Sequence, residues 1–224
     1  MYPLGYESDI PMSTQTQSSG ETAYDALVTA LRRGDYTPGD RLREEEVACR
    51  LRLSRTPVRE ALRRLENDRI IEHRPRVGAV IRKLTRTEIV ELFDMRAVLE
   101  RTAAKMAAKH GAKAEFDALA ALNERIIANR EAPAAAAAFN QDFHIGLYHA
   151  ARNRFLLDAA RALNNSLLLL GPTTYSDSGR IDVVAQEHDA IVAALRAGDG
   201  EGAADAAEAH LHTSLVYRLQ GVTA

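Results

Sequence analysis

Apolar residues recur along the chain with two different periods, and the change between them divides it. Tyr24, Leu27, Val28 and Leu31 lie at helical spacing and predict a first helix that ends at Gly34. Thr37, Pro38 and Gly39 read as a turn, and a short helix follows from about Arg43 to Leu51. Ser54 is placed to cap a third helix, in which Val58, Ala61, Leu62 and Leu65 follow the i, i+3, i+4, i+7 pattern. After Asp68 the period shortens: Ile70 to Arg74, a turn at Pro75 to Gly78, and Ala79 to Arg82 predict strand, turn and strand. From Thr87 onward the pattern is helical throughout. The first of these helices closes at Gly111; five more are expected near 113–129, 133–150, 154–170, 181–197 and 201–219. Their short connections imply antiparallel neighbours. The Ala134 to Ala138 run belongs inside one of them, because Phe139, Phe143 and Leu147 continue it as an amphipathic stripe.

The expected fold is therefore mainly α: three helices with a two-stranded wing over residues 21–84, then an all-α antiparallel bundle of about six helices over 85–220. Three helices and a wing are the plan of a winged helix-turn-helix, whose third helix enters the major groove of DNA. Residues 1–20, rich in Ser, Thr and Gln, have no apolar period and read as a disordered tail.

Composition narrows the function. With 46% hydrophobic and 27% charged residues over 224 positions, the chain can bury proper cores. A single cysteine, Cys49, excludes an intramolecular disulfide framework and fits a reducing compartment, and no apolar run reaches the ~18 residues of a membrane span. A cytoplasmic protein with no membrane partner is expected. The net charge of −2 hides an asymmetry: Glu21 to Leu84 holds 15 Lys+Arg against 11 Asp+Glu, and Thr85 to Ala224 holds 14 against 18. Nearly all the basic residues of the first segment are Arg, the side chain suited to bidentate contact with phosphate and guanine.

On the third helix the apolar positions turn one side inward, leaving Thr56, Arg59 and Arg63 on another, with Ser54 and Arg55 in the first turn. Arg55 and Arg59, one turn apart, are the candidates for base readout, and the helix N-terminus favours phosphate. Arg76 and Gly78 at the wing tip are candidates for the minor groove. The stretch LREEEVACRLRLSRTPVREALRRL, followed by IIEHRPRVGAVI, resembles the DNA-binding domain of GntR-family transcriptional regulators, with the Ser-Arg-Thr-Pro-Val-Arg-Glu-Ala-Leu recognition segment complete from Ser54 to Leu62. The resemblance implies base and phosphate contacts from Arg55, Thr56 and Arg59, and binding to a short pseudo-palindrome as a homodimer; Arg43, Ser54, Arg63, Arg76 and Gly78 complete the expected DNA-binding set. Arg69 stands where that family usually has Gly; if the position needs positive φ, Arg costs about 1 kcal/mol.

Six of the seven histidines lie in the acidic half. His188 falls on the stripe Ile181, Val184, Ile191, Val192, Leu195 and points into the bundle. His144 shares a face with Asn140, about 40° away, whereas Asp142 lies about 200° round the helix. Of His210 and His212 only one can face inward, and the Ala206, Ala207, Ser214 neighbourhood favours His210. Taken singly, each histidine fits a hydrogen-bonded core position as well as a metal ligand. Together, Phe143-His144, Glu187-His188 and Ala209-His210-Leu211, with the Gly198-Asp199 break, resemble the FCD ligand-binding domain over roughly 86–219. That resemblance implies a divalent metal, zinc first with nickel or manganese as alternatives, held by His144, His188, His210 and Asn140, the last standing where the family most often has Asp. With neutral ligands only, the ion keeps its full charge and draws an anionic effector to its open positions. Arg96 matches an Arg of the family and is either the anchor of a small carboxylate effector or the partner of Glu100 in an i, i+4 ion pair. Tyr148 is either a second effector contact or core.

Three functions follow, the last a metal-free structural dimeriser with buried neutral histidines and a closed core. The first is a regulator, most simply a repressor, whose operator affinity changes with the bound effector. The second is a metallohydrolase with a three-histidine site, and against it the chain has no HExxH, Glu187 lies about 100° from His188, and no carboxylate has an evident place beside the ligands.

Overall fold

The computed structural model describes residues 19–171 and 173–220. The tail expected over 1–20 lies outside the described residues as far as residue 18, and Ser19 and Gly20 already belong to the first helix. Three helices and a small sheet build the N-terminal head: α1 (Ser19–Arg32), β1 (Arg41–Leu42), α2 (Glu44–Leu51), α3 (Arg55–Asn67), β2 (Ile71–Arg74) and β3 (Gly78–Ile81). Its core joins Leu27 of α1, Val47 of α2, Val58 and Leu65 of α3 and Ile81 of β3, which are the periodic apolar positions of the sequence. Tyr24 is tied to the far end of α3 by a 2.5 Å hydrogen bond from its hydroxyl to Asp68 Oδ2.

The sheet has three strands, not the two expected, in the order β1-β3-β2, all antiparallel. Arg41 pairs with Val80 and Leu42 with Ala79, so β1 covers the edge of β3 that a bare hairpin would leave open. Two residues cannot display a period of two, which is why the pattern showed only a turn there. On the other edge Arg74 pairs with Gly78 across the wing tip. The tip is a Pro75-Arg76 turn closed by Val77 N–H to Arg74 O at 3.1 Å, with Arg76 at φ 65° and Gly78 at φ 94°. Proline followed by a positive φ is the signature of a type II turn. Arg69 has φ 57°, so the condition set for its cost is met, and Arg82 Nη1 donates to its carbonyl at 3.1 Å.

The bundle consists of α4 (Arg86–His110), α5 (Lys113–Ala128), α6 (Pro133–Ala150), α7 (Arg154–Leu167), α8 (Ser178–Ala197) and α9 (Gly200–Gln220). Local chemistry sets the helix ends. Thr85 and Glu88 form a capping box at α4, Pro133 opens α6, Asn153 caps α7 through Phe155 and Leu156 N–H, and Gly198 closes α8 in the left-handed region. The helix expected to run to 170 stops at Leu167 and tightens into a 3-10 turn, Leu168–Leu170, with a second turn at Thr174–Ser176. α4 packs on α9 and α6, and α8 on α5 and α9; alanines Ala103, Ala104, Ala107, Ala203 and Ala207 lie fully buried in these helices, which allows close backbone approach. The seam between head and bundle is built by the 3-10 turn: Leu169, a bundle residue, sits in the core of the head.

Candidate metal centre and nucleic-acid interface

α6, α8 and α9 bring His144, His188 and His210 together, 4%, 0% and 1% exposed. One ring nitrogen from each lies within 4.8 Å of the others, and the closest ring centroids, of His188 and His210, are 4.7 Å apart. Phe143 stacks on His188 at 3.8 Å with the planes 2° apart and fixes that ring. His212, beside His210 in sequence, is exposed. Burying imidazoles without partners is costly. Both ring nitrogens of His188 and Nε2 of His144 nevertheless have no partner, and Nδ1 of His144 has only an ion-pair contact with Glu100, outside hydrogen-bond geometry. Burial, together with neighbouring His210, His144 and Arg180, holds His188 well below the ordinary 6.5, and burial outweighs Glu187 to lower His210 to about 4. Burial thus keeps the His188 and His210 rings uncharged at neutral pH, the state a divalent ion needs, and an ion bonded at about 2.0–2.1 Å to one nitrogen of each ring would satisfy lone pairs that burial leaves orphaned. The donor set therefore fits a metal.

Two carboxylates touch this cluster, which corrects the expectation that none does. Glu187 Oε2 is 2.8 Å from His210 Nδ1, orienting that ring so that Nε2 faces the other two. Glu100, 1% exposed, places Oε2 2.6 Å from His144 Nδ1 and receives Arg96 Nη2 at 2.9 Å. Burial works to raise the Glu100 carboxyl, but His144 and then Arg96 more than offset it and hold it at about 2. A buried negative charge thus adjoins the histidines, and the cluster is not wholly neutral. The angular argument on α8 was sound within one helix; the contact with Glu187 comes from α9.

Beside the cluster is a cavity of about 560 Å³ between bundle and head. Of the three histidines, His144 lines it, together with Asn140, whose buried Oδ1 has no partner. Arg96 is paired with Glu100, the ion pair expected from their spacing, and still lines the cavity. Tyr148 does not line it: 3% exposed, it packs in the hydrophobic core of the bundle, where burial raises its hydroxyl. Arg180 does, and the sequence reading missed it. Its place eight residues before His188, about two turns along the same helix, was the available signal.

The other functional surface is on the head. Arg55, Thr56, Arg59 and Arg63 of α3 are exposed, as are Arg43, Ser54 and Arg76. α2, α3 and the wing enclose a groove of about 540 Å³ lined by Arg43, Arg55, Arg59, Arg63 and Gly78. Ser54 stands at the N-cap with φ −71° and ψ 166°, yet its side chain makes no capping hydrogen bond, contrary to the sequence expectation. The arginines are engaged by the acidic first turn of α2. Arg59 donates from Nε and Nη2 to the two oxygens of Glu44 at 3.0 and 2.9 Å, Arg55 meets Glu45 at 2.9 Å, and Arg43 meets Glu46 at 2.8 Å. Pairs this exposed are weak and exchange readily for phosphate or guanine.

Comparison with known proteins follows the same division. The family model "Bacterial regulatory proteins, gntR family" matches residues 19–81, and the FCD domain model matches residues 91–213. A protein of Paenarthrobacter nicotinovorans described as "Probable D-xylose utilization operon transcriptional repressor" is 35% identical over 193 residues, covering 84% of this chain and 83% of its own. The HTH-type transcriptional regulator YdhC of Bacillus subtilis is 27% identical over 84% of this chain and 86% of its own. Among solved structures, E. coli McbR/YncC superposes with a TM-score of 0.82 at 22% identity over 92% of this chain and 99% of that one, a likeness of fold. Among the described residues, no helix is long and apolar enough to cross a membrane.

Proposed function

Because the chain belongs to the GntR family of bacterial regulatory proteins and carries an FCD domain, it is a transcriptional regulator and not an enzyme, and we propose that it is a metal- and effector-responsive repressor. In this reading residues 21–84 grip operator DNA and residues 85–220 receive the effector and join two copies. Arg55, Thr56 and Arg59 read base edges, Ser54, Arg43 and Arg63 meet phosphates, and Arg76 and Gly78 enter the minor groove. His144, His188, His210 and Asn140 hold the divalent ion, zinc by preference for three imidazoles and one carbonyl oxygen. A small carboxylate bridges the ion and Arg96, and the homodimer matches a pseudo-palindrome through its two-fold axis. Work on operator DNA is work in the cytoplasm.

The observation that carries this reading is the pairing of a groove-facing arginine helix with a buried three-histidine cluster that reaches, through His144, a cavity at the head–bundle seam. Repression is supported by the likeness to the Paenarthrobacter protein, itself a probable repressor. An occupant of the cavity lies against Thr37 and Tyr36 of the head and against Leu168 and Leu170, neighbours of Leu169 in the head core. It therefore acts on the head by its differential affinity for two head placements. The test is selection of bound duplexes from a random pool, followed by titration of the selected duplex with the zinc-loaded protein, with and without citrate as a carboxylate probe. A two-fold related site, with affinity lowered by citrate in the wild type and unaffected in Arg96→Gln, is expected. A pool that stays unenriched, or a citrate effect that persists in Arg96→Gln, contradicts it.

A further inference from the structure

The cavity wall has a charge composition unlike the bundle around it. Residues 85–224 carry a surplus of acid, 18 Asp+Glu against 14 Lys+Arg. Among the described residues, however, the wall holds Arg32, Arg33, Arg96, Arg180 and Arg218 and no carboxylate. Arg180 is 1% exposed and is held from several sides: Nη2 donates to Ser214 Oγ at 2.6 Å, and the guanidinium lies 4.6 Å from the centre of the Tyr217 ring. Its acidic neighbour is Glu187, at 3.4 Å through the same oxygen that meets His210 at 2.8 Å. Arg96 likewise leans on Glu100, a carboxylate that also faces His144. Both carboxylates are committed to histidines, and Nε of both arginines is buried with no hydrogen-bond partner.

Each guanidinium thus keeps one buried nitrogen unpaired and shares its carboxylate with a histidine, and an arriving anion would complete its pairing. Arg96 and Arg180 line the same cavity, with Tyr175 also in its wall. The volume points the same way. A cavity of about 560 Å³ is within the range that takes a metabolite of some size, and a single carboxylate at Arg96 leaves most of it unfilled.

We infer that the cavity takes a small organic molecule with two anionic groups, one received by Arg96 beside His144 and the other by Arg180 with Ser214. This rests on the reading in which a carboxylate effector meets Arg96, and adds to it a specificity: a fixed guanidinium at the second position rejects ligands that leave it unpaired. The second group is a carboxylate or a phosphate, both of which match the planar donor fork.

The experiment is isothermal titration of the full chain, carrying whatever metal it retains on purification, with two matched pairs: butyrate against glutarate, and gluconate against 6-phosphogluconate. Within each pair only the second anionic group differs. At least one dianion is expected to bind about tenfold or more tightly than its monoanion, a step of one decade in Kd. Arg180→Gln should erase that preference to within about threefold and leave the monoanion's Kd unchanged, whereas Arg180→Lys should keep part of it. A preference in the glutarate pair alone assigns the second group as carboxylate, and in the phosphogluconate pair alone as phosphate; either supports the inference. Should Arg180→Gln fail to fold, Ser214→Ala, which loosens the guanidinium, should reduce the preference instead. Equal affinities within both pairs, with both lost in Arg96→Gln, overturn the dianion while leaving the carboxylate reading in place. Absence of binding by all four, or binding indifferent to Arg96→Gln, overturns both.

Discussion

Arginine does opposite work in the two halves of this molecule. On the head, Arg43, Arg55 and Arg59 are about half exposed, and each already has a glutamate of α2 as partner. In the bundle, Arg96 and Arg180 are buried, and the carboxylates near them are shared with histidines. An exposed pair stabilises little and is readily exchanged, which suits a surface that must meet DNA and leave it. A buried, incompletely paired charge destabilises until a ligand arrives, which suits a site that must register occupancy. Exposure and partner state, more than residue type, separate the proposed DNA contacts from the proposed effector contacts.

The comparison can be broken first at the metal cluster. His188→Ala removes a ligand whose two nitrogens have no other partner, and should lower zinc affinity by more than about 100-fold in chelator competition. Retention within tenfold would exclude His188 as a ligand. Next in size, Glu187→Ala removes the acceptor that orients His210, and should weaken zinc by about 10- to 100-fold without touching a ligand. An unchanged affinity would make that contact incidental.

On the head, Arg59→Ala should cost about 1–3 kcal/mol of operator affinity at constant salt and leave metal content as it was. Equal binding by the mutant would take Arg59 out of the readout.

Acid should also tell the two regions apart. His210 is held near 4 and His188 well below its ordinary 6.5, both by burial first, so the unfolded chain takes up protons at a pH where the fold refuses them. Their stabilising contribution is complete above 6.5 and is lost as pH falls through about 4. Glu100, held at about 2 from an ordinary 4.5, extends the loss below pH 4.5. The Tm of chelator-treated protein should therefore be lower at pH 5 than at pH 7.5, with a shallower dependence in His210→Gln. A flat profile would mean the rings are not buried neutral. Smallest of all, Glu44→Gln frees Arg59 and should strengthen operator binding by about 0.2–1 kcal/mol, the range for exposed pairs. Weaker binding would mean that Glu44 positions Arg59 and does not compete for it.

Much of this was legible in the sequence, for reasons that differ by element. The six bundle helices follow a period of 3.6 and are bounded by Gly, Pro and Asn, so α6 begins and ends where the pattern places it, at 133 and 150. His188 and His210 were visible because an apolar stripe fixes which ring turns inward. β1 was not, because its two residues acquire strand character only from pairing with Val80 and Ala79. The Arg96–Glu100 pair was visible in its i, i+4 spacing, but the contacts of Glu100, Glu187 and Arg180 with His144, His210 and Ser214 were not, because those partners lie on other helices and no spacing along one helix encodes a contact across two. Tyr148 shows the converse, a residue one turn from His144 that the packing takes into the core.

The central claim is that the buried histidines exist to hold a metal. The direct measurement is metal per chain by plasma mass spectrometry, on protein purified without affinity tag or chelator, beside His188→Ala prepared identically. About one equivalent of a divalent ion in the wild type and none in the mutant is the predicted result for a single three-histidine site. Protein that comes through purification with no metal, and takes up no zinc when offered it, would contradict the account.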